Sequence, residues 1–145
     1  MLTSQANDTE LPARLRLAIT RLARRLRQES GSGLSPSLTA ALATIDRHGP
    51  LAPSELAEFE RVKRPTATRI VNGLDSAGLI AREPDPDDRR GVRVSVSPEG
   101  RALLRRLRKR KTAYLARRLE KLDPEELATL ERAAVLLERL LEDER

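Results

Sequence analysis

Apolar residues recur along this chain at two different periods, and the change of period divides it into parts. Leu11, Leu15, Ala18, Ile19, Leu22 and Leu26 fall at steps of three and four, which places them on one face of a helix over residues 11–28. Arg14, Arg16, Arg21, Arg24, Arg25 and Arg27 fill much of its remaining surface, and Glu29-Ser30-Gly31-Ser32-Gly33 ends it with turn chemistry. Ser35-Pro36 opens a second helix, a hydroxyl cap followed by a proline at the first helical position. Its stripe is Leu38, Leu42 and Ile45, and it stops near His48-Gly49-Pro50. A third helix begins at Pro53-Ser54-Glu55 and carries Leu56, Ala57 and Phe59. A fourth covers about Arg64 to Ala77, with Pro65 in its first turn, Ile70, Val71 and Leu74 inward, and Gly78 as its stop.

The period then drops to two. Leu79 to Glu83 is a short extended segment, and Val92, Val94 and Val96 alternate with Arg93, Ser95 and Ser97. Together they predict a hairpin whose loop, residues 84–91, is charged, bears prolines and is too long for a two-residue turn. Helical spacing returns at Ser97-Pro98-Glu99 in a long helix to about Leu122. Asp123-Pro124-Glu125-Glu126 restarts the chain in a last helix with Leu127, Leu130, Ala134, Leu137 and Leu141 on one face. The expected fold is mainly α with a small β-hairpin wing. A winged helix-turn-helix at 35–97 is flanked by helical regions at 11–29 and 98–145, in one domain spanning 1–145. The leucine stripes at both ends exceed what one small domain covers, which predicts a homodimer built on those flanking helices.

Composition narrows the chemistry. Phe59 and Tyr114 are the only aromatics, so the core must be aliphatic, and Tyr114 reads as a core or interface residue. The absence of Cys removes disulfides, thiolate metal sites and thiol switches together. His48 is the only histidine; it cannot form a metal site alone and suits a helix C-terminus, where a cation meets the helix dipole. No cofactor is expected, and no paired carboxylates, nucleophile–base pair or Gly-rich phosphate loop points to an enzyme. No window approaches 18 apolar residues and the first ten residues lack an apolar run, so a soluble cytoplasmic protein away from the membrane is expected.

The formal net charge of +6 favours a polyanionic partner. The charge is zoned: residues 91–122 hold 11 basic and 2 acidic side chains, and residues 123–145 hold 3 and 8. The run Arg105 to Lys111 reads as a helix face that is solvated or paired with the acidic last helix, with phosphate contact the other reading.

The fourth helix is about 21 Å long at the standard rise and fits a major groove roughly 12 Å wide. Its exposed Arg64, Thr66, Thr68, Arg69 and Asn72, with Lys63 just before it, are donors and short hydroxyls suited to base edges and phosphates. Arg89 and Arg90 sit on the wing loop beside Asp87 and Asp88. An arginine on a protruding loop fits a narrow minor groove, and a neighbouring carboxylate can hold its guanidinium in one orientation. Ser54, at the start of the third helix, completes the set assigned to double-stranded DNA. A sequence-tolerant architectural nucleoid protein is the alternative; Thr66, Thr68 and Asn72 argue instead for base reading.

Five fragments follow in order: Ser54-Glu55-Leu56-Ala57-Glu58, Pro65-Thr66-Ala67-Thr68-Arg69-Ile70-Val71 and Leu74-Asp75-Ser76-Ala77-Gly78-Leu79-Ile80, then Asp85-Pro86-Asp87-Asp88-Arg89-Arg90 and Val96-Ser97-Pro98-Glu99-Gly100-Arg101. In this order and spacing they resemble the multiple antibiotic resistance regulator (MarR) family. The resemblance implies that residues 64–77 read the major groove and that the Asp-x-Arg of the wing, Asp88 and Arg90, places arginine in the minor groove. It further implies a homodimeric repressor on a palindromic operator, released by a small aromatic anionic effector between the dimerisation and DNA-binding regions. One departure stands out: Glu60 and Arg61 occupy a turn that often holds an apolar residue and then glycine. Phe59 and Val62 are expected to pack beneath that turn.

Overall fold

The computed structural model of the chain describes residues 2–142, with side chains from residue 9 onward. The elements are α1 (Leu2–Ser30), α2 (Pro36–His48), α3 (Pro53–Glu60), α4 (Arg64–Ser76), β1 (Ile80–Pro84), β2 (Val92–Val96), α5 (Pro98–Leu119) and α6 (Pro124–Glu142). Local chemistry sets most of the starts. Ser35 Oγ accepts the Leu38 N–H at 3.3 Å, and Ser97 Oγ accepts that of Gly100 at 3.1 Å. Asp123 and Glu126 form a reciprocal box, each carboxylate accepting the other's backbone N–H at 2.9 and 3.1 Å.

Helix α1 runs farther than its apolar period, so Pro12 lies inside it rather than at its start. The proline forfeits one backbone hydrogen bond, but residues 2–10 contain no glycine or further proline to stop the helix. Helix α5 ends three residues earlier than expected, at Leu119.

One aliphatic cluster joins α2, α3, α4, the hairpin and the first turns of α5. Leu42, Ile45, Leu56, Leu74 and Val94 are its largest fully buried members. The strands pair antiparallel, from Ile80 opposite Val96 to Pro84 opposite Val92. Leu51 adds one rung beside the hairpin, exchanging both backbone bonds with Val94 at 3.0 and 2.8 Å. The wing is thereby tied to the α2–α3 connection. Gly100 lets α5 approach the hairpin, since a methyl there would strike the Leu79 carbonyl oxygen and Val96.

The turn after α3 explains the departure from the family pattern. Arg61 adopts φ 55°, ψ 45°, the left-handed conformation that glycine takes freely and that costs other residues about 1–2 kcal/mol. Phe59 is not packed beneath this turn: it is 51% exposed and stacks on His48 with ring centroids 4.3 Å apart. Val62 is partly buried there.

The flanking helices are organised differently. Helix α1 packs along α5, where Tyr114 is buried and accepts hydrogen bonds from Arg25 at 3.2 Å and Arg118 at 3.1 Å. These bonds to Arg118 and Arg25 hold the phenol below its ordinary pKa, against the opposing effect of burial. The basic run of α5 does not pair with the last helix among the described residues. Arg108 instead meets Asp46 of α2 at 3.1 Å, and Arg110 donates to the Ser30 carbonyl at 2.8 Å, closing the end of α1. Helix α6 buries none of its residues, leaving Leu130, Val135, Leu136, Leu140 and Leu141 exposed. Leu11, Leu15, Leu17, Ile19 and Leu22 of α1 are exposed as well.

Candidate nucleic-acid interface

Helix α4 buries Ala67, Ile70, Val71 and Leu74 and turns its polar residues outward. Arg64, Thr68 and Asn72 are four residues apart and so share one face, the face beside the wing. A groove of about 410 Å³ opens there, lined by Ser54 of α3, Arg64 and Thr68 of α4, and Asp88 and Arg90 of the wing. Five of the residues assigned to DNA from sequence therefore line one concavity. Lys63 and Arg69 are exposed nearby on the chain, while Arg89 is exposed on the wing. Thr66 is separate: it is half-buried in a second groove with Pro36 and Ser37 of α2 and Glu60 and Val62 of the turn.

The wing loop is held by short-range turns. Asp85 Oδ1 accepts the Asp87 N–H at 2.9 Å, and Asp88 Oδ1 accepts the Arg90 N–H at 3.0 Å. Asp88 thus orients Arg90 through the backbone rather than by gripping its guanidinium, which corrects the expectation from sequence. No ion pair joins the two side chains among the described residues.

Two arginines outside the expected set organise the base of the site. Arg93 Nε lies 3.3 Å from Asp85, while its Nη1 donates to the Pro50 carbonyl at 3.4 Å and lies 3.9 Å from Glu55. Wing, α2–α3 connection and α3 meet on this one side chain. The Asp85 carboxyl is held below its ordinary pKa by the Asp87 N–H above all, with Arg93 assisting and burial opposing. Because the folded value is the lowered one, these bonds are intact at neutral pH and are lost as pH falls through the carboxylate range. Arg82 of β1 donates to Asn72 Oδ1 at 2.8 Å and lies 3.2 Å from Asp75. In sequence both arginines are merely polar positions of an alternating strand, because their partners lie at least seven residues away.

A further cavity, of about 310 Å³, lies between α1, the α1–α2 connection, α2 and α5. Arg24, Arg27 and Lys111 line it together with Leu34 and Pro36. No described helix is long and apolar enough to cross a membrane.

Comparison with known proteins agrees with this architecture. The MarR family model matches residues 34–92. An HTH-type transcriptional regulator of Mycobacterium leprae is 38% identical over 94% of this chain and 96% of its own length. The multiple antibiotic resistance protein MarR of Salmonella typhimurium is 36% identical over 69% of this chain and 68% of its own. A transcriptional regulator protein of Pseudomonas aeruginosa, solved by crystallography, superimposes with a TM-score of 0.83 at 38% identity, covering 93% of this chain and 96% of that one. With a matching winged helix-turn-helix and relatives alike over nearly the whole chain, the protein belongs to the MarR family of DNA-binding transcription regulators.

Proposed function

We propose that the protein is a sequence-specific repressor that binds a palindromic operator in double-stranded DNA as a homodimer. The observation that carries this reading is the groove between α4 and the wing. It gathers Arg64, Arg90, Ser54 and Thr68 where a recognition helix and a loop arginine can engage adjacent grooves of one duplex. Lys63, Arg69, Asn72 and Arg89 extend the same polar surface, Thr66 lines the neighbouring groove against α2, and Asp88 shapes the wing tip. The uncovered leucine faces of α1 and α6 support pairing with a second copy. Selection from randomised duplexes should return an inverted repeat with half-sites about one helical turn apart. Recovery of unrelated sequences at equal affinity would make the protein a sequence-tolerant DNA coat.

The cationic cavity beside α1 supports release by a small aromatic anion. Its two arginines and lysine supply charge, and Leu34 and Pro36 supply apolar wall.

The wing turn gives a sharper expectation. Asp88→Asn keeps an acceptor for the Arg90 N–H and should bind the operator nearly as well as the parent. Asp88→Ala removes the acceptor, frees the loop and should lose about 1 kcal/mol of binding, approaching the Arg90→Ala variant. Fluorescence anisotropy on one operator ranks the three. Asn and Ala variants that fall together would show that the carboxylate charge matters and the turn does not.

A further inference from the structure

We propose that Arg82 is a positioning residue that sets the base preference of α4 through Asn72. The inference rests on the reading of Asn72 as a contact to a base. Asn72 stands on the face of α4 shared with Arg64 and Thr68, one turn beyond Thr68 along the helix. A side-chain amide normally offers a base both an acceptor oxygen and donor hydrogens, the combination that pairs with adenine at N6 and N7. Here the oxygen is engaged: Arg82 Nη2 donates to Asn72 Oδ1 at 2.8 Å. A guanidinium has donors only, so this contact fixes which end of the amide faces Arg82. Arg82 is itself held from the other side by Asp75, whose Oδ2 lies 3.2 Å from Nε.

Asn72 keeps its Nδ2–H donors free for DNA, while the remaining lone pair of Oδ1 lies beside a positive charge that repels a further donor. Guanine presents two acceptors in the major groove, O6 and N7, whereas adenine presents one acceptor and the N6 donor. The Asp75–Arg82–Asn72 chain therefore biases this position toward guanine over adenine. It does so without Arg82 touching a base. The Arg82 and Asp75 side chains are 39% and 44% exposed, so their ion pair contributes little to stability. Its consequence is the orientation of the amide.

The test uses the full-length dimer and an operator selected from randomised DNA, substituted in turn at every base pair of one half-site. The position governed by Asn72 is the one whose preference disappears in Asn72→Ala. At that position the parent should favour guanine over adenine by about fivefold, the worth of one hydrogen bond. Arg82→Met, which keeps the stem and frees the amide, should reverse the ratio toward adenine. Arg82→Lys, still only a donor, should keep guanine ahead. In an Asn72→Ala background, Arg82→Met should change no base ratio. Melting temperatures close to the parent's would separate these effects from unfolding.

An unchanged ratio in Arg82→Met would overturn the proposal. So would a uniform loss across all bases that adds to the Asn72→Ala loss, since Arg82 would then be a phosphate contact in its own right. An Asn72→Ala variant with the parent's preference at every position would remove Asn72 from base reading, and the proposal with it.

Discussion

Leu137→Glu should convert the protein to monomers and abolish operator binding in the same variant. Leu137 is central among Leu130, Ala134, Leu137 and Leu141 on the apolar face of α6, and it is only half-buried within its own chain. No residue of α6 is fully buried in one copy, so the winged core should fold without this face. In a dimer, each copy would bury an unpaired carboxylate. The cost should be at least about 3 kcal/mol, a hundredfold or more in the dimer dissociation constant. The monomer would carry one recognition helix in place of two and lose the second half-site. Sedimentation and an anisotropy titration on the same sample test both halves. A variant that remains dimeric and binds normally would move the interface to the exposed leucines of α1.

Arg64→Ala and Arg69→Ala should each lower operator affinity by about 1–3 kcal/mol, the range expected for a contact to a base edge. Neither side chain takes part in an ion pair or hydrogen bond among the described residues, so neither substitution should disturb the fold. Affinity for unrelated DNA should fall much less, because only base contacts carry sequence information. Titrations on operator and scrambled duplex at several salt concentrations separate the alternatives. Equal losses on both, with the salt slope reduced by about one, would make these arginines phosphate contacts.

The order and kind of the elements were legible in the sequence, because helical and strand periods and terminal caps are local properties. Ser35, Ser97 and Asp123 each cap a helix within three residues of themselves. The stripes Leu38–Leu42–Ile45 and Ile70–Val71–Leu74 likewise identify inward faces without reference to what covers them. The polar face of α4 was legible in the same way, as the complement of its buried one. The unfilled stripes of the flanking helices announced themselves as an excess of leucine.

Which polar groups meet depends on packing between elements distant in the chain. Arg110 closes the end of α1 eighty residues earlier, Arg93 gathers the wing and α3, and Arg82 fixes the amide of Asn72. That packing also separates Thr66 from Thr68, two residues apart but in different grooves. Phe59, apolar and expected inside, lies outside against His48. A period records whether a residue faces inward or outward and carries nothing about the neighbour it will find there. That neighbour depends on how α2, α4, α5 and the hairpin pack around a shared aliphatic core, where contacts form between residues far apart in the chain.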